Sequence, residues 1–133
     1  MPELTNLRGL RRNRRGVTAI EVAIVFPVFI LLVLGTLDFC RALWLQNALQ
    51  GAVESAARCA ALNPVTCGTA ANIQAYAATQ VAGFSIASSA FSATTAACGQ
   101  KVTASYPFTF IPASLPPFNS LSLTLSAQSC RPT

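Results

Sequence analysis

Residues 17–37 read VTAIEVAIVFPVFILLVLGTL, an apolar run that carries one charge, Glu21. A run of about 20 such residues crosses the hydrocarbon core of a bilayer as an α-helix. Past it the pattern changes without a break. Leu45, Leu49, Ala52, Ala56 and Ala60 recur at spacings of three and four, with Asn47, Gln50, Glu54 and Arg58 on the opposite face. That is the periodicity of an amphipathic helix. Glu54 and Arg58 stand at i,i+4 in the favourable order for an ion pair. Asn63-Pro64 ends the pattern, because proline cannot continue a helix. Helical over 17–62, the chain extends about 69 Å, half of it in lipid and half outside.

The remaining pattern is shorter-ranged. Residues 69–82, TAANIQAYAATQVA, predict a second, short helix, and the Ser/Ala/Gly-rich residues 83–99 read as a loop. In QKVTASYPFTF, residues 100–110, Val102, Ala104 and Tyr106 fall on one side. Leu121, Leu123 and Leu125 alternate with Ser120, Ser122, Thr124 and Ser126, a period-two strand with one apolar face. IPASLPPFN, between the two strands, makes a wide connection rather than a tight turn. The expected fold is α+β: a long N-terminal helix, then a small domain with a short helix and an antiparallel β-hairpin. The expected divisions are 1–16, a basic leader; 17–38, a transmembrane helix; 39–62, an amphipathic helix; and 63–133, the small domain.

Charge gives this layout a direction. Of the net charge of +5, most sits in residues 1–16, where Arg8, Arg11, Arg12, Arg14 and Arg15 face only Glu3. Short-range arginines beside a span predict a cytoplasmic N-terminus and an extracytoplasmic domain. No basic face with interleaved aromatics follows residue 16, which argues against a nucleic-acid partner. There is no histidine and there are four carboxylates, which argues against an enzyme and leaves no cofactor or metal centre to expect. The apolar run continues into LDFCRALWLQ, with no small-x-small cleavage site after it, so it reads as an anchor and not as a removable secretory signal. Trp44 falls just beyond the run, where aromatic residues anchor at the interface.

Two residues inside the run have a cost. Pro27 removes a backbone hydrogen bond and predicts a kink that a lipid-embedded helix tolerates. A carboxylate at mid-membrane costs about 2.5–3.5 kcal/mol, less near the interface, where Glu21 lies. Glu21 either reaches the headgroups or is retained for a cationic partner. Cleavage after Gly16 would create one, the new α-amino group of Val17, one helical turn away.

The five cysteines form no CxxC pair, and outside the cytoplasm they read as disulfides. Folding the two strands antiparallel about residue 114 brings Cys98 towards Cys130. Cys59 and Cys67 flank the helix stop and close a small loop. Cys40 is left over, near the membrane.

The stretch RRNRRG-VTAIEVAIVFPVFILLVLGTLDFCRALW resembles the N-terminus of TadE-like proteins, the minor pilins or pseudopilins of the tight-adherence (Flp-type) pilus system. The matching features are the basic leader, Gly16 before the cut, Glu21 five positions after it, Pro27, and the Gly35…Asp38 ending. Val22 departs from the aromatic residue that many such proteins have after the glutamate. The resemblance implies a type IV pilin-like lollipop, cleavage between Gly16 and Val17 by a prepilin peptidase, and an assembly role for Glu21. It also implies a bacterial inner-membrane location, with other pilins and the pilus assembly platform as partners. The competing expectation is a single-pass anchor for a small extracytoplasmic binding domain, with Gly16 incidental.

Overall fold

A computed structural model describes residues 15–111 and 122–132, without the side chains of Arg15 and Val17. The leader up to residue 14, the connection at 112–121 and Leu121 lie outside the described residues. Helix α1 is Arg15–Leu62 and continues through Pro27. Its end is built as the sequence predicts. Asn63 N–H donates to the Cys59 carbonyl at 2.8 Å, and the Asn63 carbonyl accepts from Cys67 N–H at 2.9 Å. The Asn63 side chain accepts from Thr66 N–H at 3.2 Å, a local bond that favours leaving the helix. Helix α2 is Ala70–Thr79, capped by Thr69, whose hydroxyl accepts from Asn72 N–H. It is shorter than the predicted 69–82: Thr69 is the cap, and the chain turns after Gln80 towards Gly83, which has φ +82°.

A 3₁₀ turn at Ser88–Ala90 leads into three strands, β1 (Phe91–Ala96), β2 (Gly99–Thr109) and β3 (Ser122–Arg131). They form one antiparallel sheet in the order β1-β2-β3. The predicted hairpin is β2–β3, in a register that sets Lys101 opposite Cys130 and Thr109 opposite Ser122. The loop reading of 83–99 is corrected by β1, whose Phe91–Ala96 pairs with Ala104–Gly99. FSATTA shows little alternation, and what makes it a strand is the backbone ladder offered by β2. The two-residue turn at 97–98 ends on Gly99 with φ +113°, and a Cβ there would collide with the Arg131 carbonyl. Only glycine fits at that position.

The sheet packs on the C-terminal half of α1. Leu45, Leu49, Ala52, Val53, Ala56 and Ala57 are fully buried or nearly so, against Phe91, Val102, Ala104, Phe108, Leu125 and Ala127. The alanines let the sheet approach closely, so the apolar stripe predicted on this helix faces the protein's own domain. Ile73 and Ala77 of α2 complete the core. The edge strand β3 lies along α1. Gln46 Nε2 donates to the Ser126 carbonyl at 2.7 Å, and Gln50 Nε2 to the Gln128 carbonyl at 3.4 Å. The two glutamines occupy carbonyls that an exposed strand edge would offer to another chain. The predicted Glu54–Arg58 pair is not formed. Both residues are exposed, where such a pair is worth only a few tenths of a kcal/mol, and Glu54 accepts instead from Gln50 Nε2 at 3.5 Å.

Candidate functional site

The N-terminal half of α1 is apolar and bare. Its most hydrophobic window has a mean hydropathy of 2.6 with none of it buried, so this helix is long and apolar enough to cross a membrane. Gly16 is the second residue of the helix, exposed, and a Cβ there would meet nothing within 4 Å. Nothing in the fold itself demands glycine at this position. Glu21 is exposed one turn beyond Val17. It borders an open groove of about 290 Å³ lined otherwise by Val22, Val25, Phe26 and Phe29. A carboxylate in such surroundings is suited to pairing with a cation brought by another group.

A second constellation marks the end of the apolar run. Asp38 is completely buried. Its Oδ1 accepts from Arg41 Nη1 at 2.9 Å, and its Oδ2 accepts from the backbone N–H of Ile111 at 2.6 Å. The Arg41 guanidinium lies 5.7 Å from the centre of the Phe108 ring, within reach of a cation–π contact. Phe108 in turn meets Phe110 edge to face, at 5.2 Å. Asp38 therefore ties the end of β2 to α1 just past the apolar run. Sequence reasoning noted Asp38 only as part of a motif and missed Arg41 and Ile111. The i,i+3 spacing of Asp38 and Arg41 was a visible signal, whereas the bond to Ile111 spans 73 positions.

The cysteines fall into two bonded pairs. Cys59 is joined to Cys67 and Cys98 to Cys130, with Cα–Cα separations of 5.8 and 6.2 Å. The first closes the turn after α1 and the second links the β1–β2 turn to β3. Cys40 is an exposed free thiol.

A long helix, apolar enough in its first half to cross a membrane, thus carries a small disulfide-linked α+β domain on its far half. Residues 16–58 match the family model described as TadE-like protein. That segment, about a third of the chain, begins at Gly16 and takes in Glu21, Pro27, Gly35 and Asp38. The match suggests involvement in the tight-adherence pilus system. No curated protein and no solved structure matches the chain.

Proposed function

We propose that this chain is a minor pilin, or pseudopilin, that takes part in assembling a tight-adherence pilus or a related secretion filament. A prepilin peptidase cuts it between Gly16 and Val17 at the cytoplasmic face of the inner membrane. Residues 17–38 span the bilayer, bent at Pro27, and the domain stands outside. Glu21 then pairs with the freed amine of Val17, its own or that of a neighbouring pilin, during assembly on the inner-membrane platform. The observation that carries this reading is the conjunction at one point in the chain. The TadE-like match opens at Gly16, and it opens onto a bare apolar helix whose single carboxylate lies one turn further on.

Coexpression with a prepilin peptidase tests it. N-terminal sequencing of the product should begin at Val17, and Gly16→Leu should block the cut. Glu21→Ala should still insert and still be cleaved, yet fail to support piliation. An intact Met1 in the presence of active peptidase refutes the reading and leaves a plain single-pass anchor. Normal piliation by Glu21→Ala refutes the assembly role of the carboxylate alone.

A further inference from the structure

The domain's lower end has a height along α1 that can be worked out. Gln46 and Gln50 reach Ser126 and Gln128. Four helix residues rise about 6 Å and two strand residues about 6.6 Å, so β3 runs nearly parallel to α1 and in the same direction. Leu123, three residues before Ser126, lies about 10 Å further down, the rise of between six and seven helix residues. That sets Leu123 level with residues 39 and 40. A separate observation agrees. Phe108 is the register partner of Leu123, and its ring lies beside the Arg41 guanidinium.

The end of the hairpin where β2 finishes and β3 begins therefore stands at the level where the apolar run of α1 stops, and both elements expose apolar side chains there. Phe39 is 61% exposed, Trp44 64% and Leu43 50% on the helix; Ile111 and Leu123 are each 47% exposed on the hairpin. Chains that fold only against themselves leave such residues scattered singly. These five fall within about one and a half helical turns just beyond the exposed apolar surface of the span. The charges at this level pair with each other, Arg41 donating to Asp38 at 2.9 Å. Asp38 is buried, and Arg41, half exposed, is the one described charge that reaches solvent.

We propose that this collar is a membrane-seating surface. Ile111 and Leu123 of the hairpin, and not the helix alone, rest in the headgroup region of the extracytoplasmic leaflet, with the exposed side of Arg41 towards lipid phosphate. An apolar and aromatic rim matches the chemistry of that layer. The Asp38–Ile111 bond holds the hairpin at the depth required. This inference rests on the membrane-spanning reading of α1.

Trp44 is the chain's only tryptophan, so single-tryptophan variants report depth directly. The full chain is reconstituted in anionic phosphatidylglycerol-containing vesicles, with lipids brominated either near the carbonyl end or near the methyl end of the acyl chains. Native Trp44 is compared with Trp44→Phe variants carrying Leu123→Trp, Leu32→Trp or Thr94→Trp. Leu123→Trp should be strongly quenched by the shallow bromines and weakly by the deep ones, as Trp44 is. Leu32→Trp should be quenched from within the core. Thr94→Trp, at the far end of the sheet, should be unaffected. Quenching of Leu32→Trp with none at Leu123→Trp overturns the seating and leaves the span intact. Shielding of Leu123→Trp from bromine by crosslinking to a second copy gives the surface to protein and overturns it equally. No quenching at Leu32→Trp removes both readings.

Discussion

Replacing Asp38 with alanine should loosen the hairpin from the helix by an amount the contacts allow to be estimated. The Ile111 N–H would lose a charged acceptor at 2.6 Å, and hydrogen bonds to charged groups contribute about 1.5–3 kcal/mol. The bond from Arg41 would also go, but Arg41 is half exposed and solvent screens it, so this adds only about 0–1 kcal/mol. The expected cost is therefore about 1.5–4 kcal/mol, dominated by the backbone bond. Asp38→Asn keeps an acceptor for Ile111 and loses only the charge, so about half that cost is expected. Arg41→Ala should cost about 0–1 kcal/mol, because the carboxylate keeps its backbone donor. The assay is urea unfolding of the full chain in nanodiscs, followed by near-ultraviolet dichroism, together with amide exchange at Ile111. Exchange there should accelerate in the order Arg41→Ala, Asp38→Asn, Asp38→Ala. A cost below about 0.5 kcal/mol for Asp38→Ala, the size of an ordinary surface change, would refute the argument. Equal costs for Arg41→Ala and Asp38→Ala would show that the ion pair, not the bond to β2, carries the effect.

Other perturbations have defined expectations. Leu49, with none of its surface exposed, should cost about 2–5 kcal/mol as Leu49→Ala in the same unfolding assay. Opening the disulfide at sequence separation 32 with Cys98→Ser and Cys130→Ser should cost about 3.7 kcal/mol in the chain-entropy account, and opening that at separation 8 with Cys59→Ser and Cys67→Ser about 2.5 kcal/mol. Thermal unfolding of the two double variants should preserve that order. Gly99→Ala should destabilise strongly, since it meets both a positive φ and the Arg131 carbonyl, whereas Gly51→Ala, open to solvent in mid-helix, should stabilise by up to about 1 kcal/mol.

The readable parts of this chain are those whose burial repeats along the sequence. The buried apolar stripe of α1 from Ala42 to Ala57 follows the 3.6-residue period, and Val102, Ala104 and Phe108 of β2 face one way, as do Leu125 and Ala127 of β3, at period two. Strand β1 was illegible for the complementary reason. Phe91 alone among Phe91–Ala96 is buried, and the element exists because β2 has an unsatisfied edge for it to join. At the candidate site the same division holds. The switch from basic leader to apolar helix at Gly16, and the isolated Glu21, are visible as local contrasts in charge. The tie at Asp38 is not, because half of it is a backbone N–H that the fold brings in from the far end of β2.

One last consequence concerns where stability resides. Every buried residue among those described lies at position 38 or later, so the span adds nothing to the core of the domain. A fragment that begins at residue 37, with its N-terminus acetylated, should therefore fold by itself in water. Its helix would start beside Asp38, a carboxylate placed in the first turn, where it favours the helix dipole. Residues 38–62 alone make a helix of marginal stability in water, and packing against the sheet supplies the remainder. The fragment should show native-like near-ultraviolet dichroism, keep both disulfides and elute as a monomer at low concentration. It should also retain the exposed Phe39, Leu43, Trp44, Ile111 and Leu123, and so bind phospholipid vesicles, with a blue shift of Trp44 emission. A fragment that aggregates, or that folds only with residues 17–36 restored, would show that the apolar half of α1 supports the domain and does not merely hold it at the membrane.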